Sequence, residues 1–264
     1  SLWKNFRGSD LVVTQYAGKR GGSFSLASKL AARLLAKRKG LIGFVDASRW
    51  NGILYDHLVP VRSESAVAEH DREALRAAGI SIALSFPKLE YVPDNSVFAK
   101  FKLEAEKYIV VHLFAGNAGR GLHPDKKHEL LTALSEKLPH FRLVVSGGTN
   151  NREEVLHITE NIPVTVIAGE TTLQELMNLI SHSRGVVSLD TGVAHIAAQL
   201  GKSLIVMSSC LGANWWFSEQ YGTDAPITVF SRADLCASGH IYKEHPVCIN
   251  DIDMGIVVEQ ASHV

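Results

Sequence analysis

The stretch Arg184–Ser209, RGVVSLDTGVAHIAAQLGKSLIVMSS, constrains this chain more than any other. Gly185 to Leu189 is an apolar, β-branched run of strand length. Asp190, Thr191 and Gly192 break it. Val193 to Leu200 then carries helical spacing, Gly201 stands where a helix C-terminal glycine belongs, and Leu204 to Met207 is a second apolar strand. Strand, sharp turn, helix and strand form a parallel crossover. In an open parallel sheet, the end of a strand that feeds a helix is where ligands bind. The first turn of that helix offers unpaired N–H groups and the positive end of its dipole, which suit a phosphate. Gly192 admits close backbone approach, Thr191 offers a hydroxyl, and His195 sits on the first turn. Asp190 and Thr191 also fit a plain helix cap that needs no ligand.

The same alternation runs along most of the chain. Asp10–Tyr16 reads as a strand, followed by a Gly- and Ser-rich loop bearing Lys19 and Arg20. A helix follows over about Phe24–Lys37, with Leu26, Leu30, Leu34 and Leu35 as its apolar stripe. Leu41–Val45 is a strand, Ser65–Ala78 a helix, and Ile80–Phe86 a further strand. Pro87–Ser96 holds two prolines and little periodicity. It and the residues to Lys107 read as an interdomain connection. The second half then gives strands at Tyr108–Phe114, Phe141–Ser146, Val164–Ala168, Gly185–Leu189, Leu204–Met207 and Ile227–Phe230. Helices lie between them at Asp125–Lys137, Arg152–Glu160 and Thr172–His182, the last opened by a capping box of Thr171 with Gln174. Strands this apolar, alternating with helices, predict an α/β fold whose parallel sheet is covered on both faces. The expected domains are an α/β lobe at residues 1–95, a linker at 96–107, a Rossmann-like domain at 108–250, and a C-terminal helix at 251–264.

Three loops of the second half should open on one edge of that sheet: Ala115–Pro124, Gly169-Glu170 and Asp190–His195. Gly116, Gly119 and Gly121 let the first wrap an anion, and Arg120 can pair with phosphate. Glu170 can accept from a sugar hydroxyl or a base, and equally suits the first turn of a helix. Together they offer a diphosphate clamp with polar contacts on either side, which describes a nucleotide-sugar site.

Charge is balanced overall, with 27 Lys/Arg against 27 Asp/Glu, but unevenly spread. Residues 1–50 hold ten Lys/Arg against Asp10 and Asp46, a net of +8. That asymmetry points to an anionic partner for this end, or to a solvated helix face. Few aromatics are interleaved with these charges, which argues against nucleic acid. Three cysteines in 264 residues give no disulfide scaffold and fit a reducing cytoplasm. No apolar run reaches the roughly 18 residues needed to span a bilayer, and no signal peptide is expected. The chain starts Ser1-Leu2-Trp3, in what reads as the middle of a domain, so an N-terminal piece is expected to be missing.

The motif SLDTGVAHIAAQLGKSLIVM, with VIAGETTLQELMNLISHSRGVVSLD before it, resembles the most characteristic motif of glycosyltransferase family 9, the bacterial heptosyltransferases. The resemblance implies a GT-B fold of two Rossmann-like domains, here with the N-terminal domain incomplete. It implies inverting, metal-independent transfer of a sugar from a nucleotide diphosphate donor, with ADP-heptose favoured. The acceptor would be an anionic glycolipid of the lipopolysaccharide core, met in the cytoplasm or peripherally at the inner membrane surface. No cofactor and no metal are expected. Donor contacts fall on Asp190, Thr191, Gly192, His195, Arg120 and Glu170, and acceptor phosphate contacts on Lys19 and Arg20. The loop FAGNAGRGLHP resembles a family loop ending Lys-x-Trp-Pro. His123-Pro124 replaces Trp-Pro, and Arg120 lies one place before the family's Lys. The family's catalytic carboxylate and a Gly-Asp motif, in the first strand–helix turn of the N-terminal domain, have no counterpart here, so the general base stays unassigned.

Two other functional classes remain open: another GT-B enzyme such as a sugar-nucleotide epimerase, and a non-catalytic nucleotide- or glycan-binding protein. Cys236, His240, His245 and Cys248 lack zinc-finger spacing. Asp251-Ile252-Asp253 reads as a helix start with Asp251 as its cap rather than as a metal motif. Trp215 and Trp216 read as core or lid residues.

Overall fold

The computed structural model describes residues 7–14, 25–45, 51–60, 67–81, 89–116, 120–209, 225–235 and 247–264. Lys19, Arg20, Trp215, Trp216, Cys236, His240 and His245 lie outside them, as does most of the strand expected at 80–86. Contacts divide the chain into two units, Ser1–Ser85 and Phe86–Val264.

The first unit holds a three-stranded sheet in the order β1 (Val12–Val13), β2 (Leu41–Phe44), β3 (His57–Val59), paired in parallel throughout. Helix α1 (Leu26–Leu35) is capped by Ser25, whose hydroxyl accepts from the Ser28 N–H; α2 (Asn51–Leu54) and α3 (Val67–Ala77) complete it. The inward face of α1 differs from the expected leucine stripe. Leu26, Leu30 and Leu34 are exposed, and the buried residue is Lys29. The cause lies outside the helix. Lys29 Nζ donates to Asn51 Oδ1 at 2.6 Å, and Arg33 reaches Asp56 at 2.5 Å, so two charged side chains find partners inward. Ala32 and Ala36 pack against Leu41, Leu54 and Tyr55, and their small size lets the helix lie close.

The second unit is a six-stranded sheet. Its strands are β4 (Tyr108–His112), β5 (Arg142–Ser146), β6 (Val164–Val166), β7 (Gly185–Leu189), β8 (Leu204–Met207) and β9 (Ile227–Phe230). Their order is β6-β5-β4-β7-β8-β9, every pair parallel. Both faces are covered, which is why these strands read as continuous apolar runs. On one face Ile109, Val111, Val145 and Val187 pack with α5 (Pro124–Lys137), α6 (Arg152–Ile158) and α10 (Met254–Ala261). On the other, Tyr108, Val110, Val144 and Val186 pack with α4 (Ser96–Phe101), α7 (Leu173–Ser181) and α8 (Gly192–Gln199). A short helix, α9 (Val247–Asn250), precedes α10.

Several local expectations shift. Residues 96–107 are not a linker: α4 buries Val97 and Phe101 in the second unit's core. The capping box sits one residue later than expected. Thr172 accepts from the Glu175 N–H, and Glu175 accepts from the Thr172 N–H at 2.7 Å. The C-terminal helix begins at Met254 with Asp253, not Asp251, as its cap, because Asp251 is drawn off to Arg232 at 2.5 Å. Gly201 takes φ +69°, as a helix-ending glycine should. No helix among the described residues is long and apolar enough to cross a membrane.

Candidate functional site

The sheet order reverses between β4 and β7. The crossover leaving β4 packs on one face and that leaving β7 on the other, so the connections diverge and open a crevice at the strands' carboxyl ends. This is the topological switch point where open α/β sheets bind ligands. A cavity of about 510 Å³ lies there, lined by His112, Phe114, Ala115, Gly116, Asn150, Asn151, Leu173, Thr191, Gly192, Val193 and Ile196. A second cavity, of about 520 Å³, lies at the opposite edge, among Lys102, Lys107, Tyr108 and Arg142. Topology favours the first, since no helix N-terminus follows the strands at the second edge.

The turn after β7 builds one wall. Thr191 holds the N-cap position of α8, yet its side chain makes no capping hydrogen bond. Its hydroxyl instead lies 3.5 Å from Ser188 Oγ. Gly192 opens the helix, and a Cβ built on it meets nothing within 4 Å. The helix start therefore faces open space with the close approach that a phosphate needs.

Asp190 and His195 do not line the cavity. The Asp190 carboxylate is largely buried and accepts from Ser208 Oγ at 3.5 Å. Its other oxygen lies 4.0 Å from His195 Nε2. Burial pulls the His195 pKa below its ordinary value, and the Asp190 charge opposes that shift. Its burial keeps the Asp190 carboxylate off the cavity wall.

Glu170 and Arg120 also stand outside the lining. Glu170 follows Gly169, which takes φ +72°, and its carboxylate pairs with Arg152 at 2.6 Å. Arg152 also donates to the Ala168 carbonyl at 2.7 Å, so it straps this loop to the end of β6. Arg120 is half-buried just beyond residues 117–119, which are not described. His123 caps α5, its Nδ1 accepting from the Asp125 N–H, with Pro124 at the first helical position. Of the six expected donor contacts, the structure brings Thr191 and Gly192 to the cavity wall.

Sequence reading missed His112. It ends β4, in register with Ser146 on β5 and Ser188 on β7. On this face of the sheet the preceding positions are Tyr108, Val110, Val144 and Val186, all apolar or aromatic. The three central strands thus turn polar together at the edge facing the cavity. His112 Nδ1 lies 3.0 Å from Ser146 Oγ. Burial pulls the imidazole down to about 4, against the favourable backbones of Phe114 and Ser146 and with the Lys127 charge adding to the fall. The available signal was a histidine closing an otherwise apolar strand. Lys127 went unnoticed too; its ammonium pairs with Glu154 at 2.6 Å and lies 4.3 Å from the Phe114 ring centroid. Among the described residues no cluster of His, Cys, Asp and Glu is placed to hold a metal ion.

The chain is 23% identical over 171 residues to lipopolysaccharide heptosyltransferase 3 of Escherichia coli, an alignment covering 61% of this chain and 49% of that one. It thus spans about half the length of the curated relatives it matches. Among solved structures it resembles E. coli ADP-heptose lipopolysaccharide heptosyltransferase II, with a TM-score of 0.59 and 18% identity, over 88% of this chain and 72% of that one. It also resembles E. coli heptosyltransferase WaaC solved with ADP, with a TM-score of 0.55 and 15% identity, over 98% of this chain and 75% of that one. At such identities the structural likeness speaks for the fold. The model of glycosyltransferase family 9 (heptosyltransferase) matches residues 25–207, well over half of the sequence, and the chain therefore belongs to that family.

Proposed function

We propose that the second unit binds the donor of a glycosyltransferase reaction, a nucleotide diphosphate sugar with ADP-heptose favoured. The acceptor is an anionic glycolipid of the lipopolysaccharide core. The observation that carries this reading is the uncapped start of α8, with Thr191 and Gly192, opening onto the switch-point cavity in a chain of this family. Relatives solved with ADP and with ADP-2-deoxy-2-fluoro heptose support the choice of nucleotide.

Transfer of the sugar breaks its bond to the diphosphate and leaves negative charge on the departing oxygen. Fixed N–H groups at a helix start stabilise such charge without reorganising, the work a metal ion does elsewhere. Thr191, Gly192 and the first N–H groups of α8 face the diphosphate. Asp190, largely buried beside His195, holds the loop or the sugar, and His195 supplies a hydrogen bond to a phosphate oxygen. Glu170, held by Arg152, accepts from a hydroxyl, and Arg120 pairs with phosphate. Lys19 and Arg20, in the strongly basic first fifty residues, hold acceptor phosphate and favour contact with an anionic membrane surface. A general base must take the acceptor hydroxyl proton; the residues named here leave that role open.

Calorimetric titration with ADP and ADP-heptose tests the donor reading, and transfer of heptose to a lipopolysaccharide-core acceptor tests the reaction. Saturable binding of ADP, lost in Gly192→Val, is the expected result. Absence of nucleotide binding would overturn it. Turnover of the nucleotide sugar without acceptor would instead indicate an epimerase.

A further inference from the structure

We propose that His112 is a ligand-binding residue of this cavity, a neutral imidazole that donates a hydrogen bond from Nε2 to the diphosphate of a bound nucleotide. The inference rests on the donor-site reading above and adds to it a residue outside the Asp-Thr-Gly motif. Three observations carry it.

The first is position. His112 closes β4 at the switch point and lines the cavity together with Thr191 and Gly192, on the strand that faces theirs. The second is orientation. Ser146, fully buried, lies 3.0 Å from Nδ1, while its distance to the Val111 carbonyl is 3.4 Å. The contact with Nδ1 is the shorter of the two. With the Ser146 hydroxyl donating to Nδ1, the ring's own proton stands on Nε2. Ser146 is thus a positioning residue that selects the tautomer, as a hydrogen bond to one ring nitrogen generally does. The third is cost. Tyr108, Val110, Val144 and Val186 occupy the equivalent face of these strands, so an apolar residue would fill this place without the penalty of burying an imidazole. Ser188 at the same level is satisfied by the Leu189 carbonyl at 2.8 Å. The imidazole of His112 also meets the backbones of Phe114 and Ser146, and the residue lines the cavity beside Thr191 and Gly192.

A neutral donor suits this place. Lys127 already lies beside Phe114, and a fixed second cation would repel it. A hydrogen bond to a charged oxygen needs no such charge and is stronger than one between neutral groups.

The test compares four full-length variants by calorimetric titration with ADP. His112→Leu should bind ADP about tenfold or more weakly, the loss expected for a hydrogen bond to a charged group. His112→Gln keeps an N–H near the position of Nε2 and should bind within about threefold of the unmodified chain. Ser146→Ala should fall between them, and Gly192→Val, which blocks the helix start, should lose binding. In ¹⁵N-histidine spectra of the unmodified protein at neutral pH, His112 should show the Nε2–H tautomer, and that signal should move on adding ADP. Undiminished binding by His112→Leu alongside loss in Gly192→Val would overturn the proposal and leave the donor site standing. Failure of the unmodified chain to bind ADP would overturn both. Should His112→Leu not fold, the Gln variant and the spectra decide: a Gln variant with lost binding and an unmoved imidazole signal count against His112.

Discussion

Asp190 and His195 face each other across the first turn of α8, Oδ1 to Nε2 at 4.0 Å, with the carboxylate buried and the imidazole half-exposed. Burial lowers the His195 pKa, and the Asp190 charge raises it. Replacing Asp190 by Asn removes the raising influence and leaves the burial. In an NMR titration the His195 midpoint should therefore fall further in Asp190→Asn. A rise would show that the carboxylate is not the group His195 senses.

A diphosphate at the start of α8 brings negative charge to the same imidazole. His195→Ala should weaken ADP binding by about 1–3 kcal/mol, the range for a hydrogen bond to a charged oxygen. In the unmodified protein ADP should raise the His195 midpoint, so binding takes up protons near the midpoint. Calorimetry in buffers of differing ionisation enthalpy reads that uptake directly.

Gly192→Val separates binding from folding. A Cβ at this position meets no atom within 4 Å, so the empty protein accommodates the side chain. The added methyls stand where a phosphate must approach. Thermal unfolding should shift little while ADP affinity collapses. A large fall in melting temperature would mean that the turn needs glycine for its own sake.

The His112 imidazole, held down to about 4 against an ordinary value of 6.5, makes the second unit acid-sensitive. Below pH 6.5 the unfolded chain takes up a proton that the folded chain refuses until about pH 4. Stability from this group is thus present above pH 6.5 and drains as pH falls through that window. At ~1.4 kcal/mol per pH unit the loss approaches about 3 kcal/mol. His112→Gln should flatten the difference in urea-unfolding free energy between pH 7 and pH 4.5. An equally steep fall in the variant would assign the acid sensitivity to other groups.

In the first unit, Gly40→Ala should be destabilising by about 1–3 kcal/mol. A Cβ there would run into the backbone carbonyl oxygen of Asp10, which has no freedom to swing aside as a side chain would. Urea unfolding of the full chain checks it, and unchanged stability would show that β1 can yield.

The second unit was legible because its central strands are buried on both faces and its edge strands partly so. Gly185–Leu189, Leu204–Met207 and Ile227–Phe230 are each bounded as the mainly apolar runs are. The first unit was less so. Periodicity assigned the leucines of α1 to the interior, but Asn51 and Asp56, more than twenty residues away, draw Lys29 and Arg33 inward instead. The capping box slipped by one because Thr171-Thr172 and Gln174-Glu175 both satisfy its pattern, and only backbone geometry selects between them. At the site, the Thr191-Gly192 turn was visible as a motif. His112 was not, because its meaning depends on Ser146 and Ser188, which pairing brings to its level and sequence keeps apart.

The reversal of strand order at β4 also has a kinetic side. Ile109 pairs with Leu143 after one crossover, but with Gly185 only after two more have been laid down. Closing so long a loop is slow, because its entropy is lost before the contacts repay it. The β4–β7 seam should therefore close late in folding, and the walls carrying His112 and Gly192 meet only when it closes. A nucleotide bound across that seam stabilises contacts that are completed only in the folded state. It should lengthen the lifetime of the folded protein and leave its rate of folding nearly unchanged.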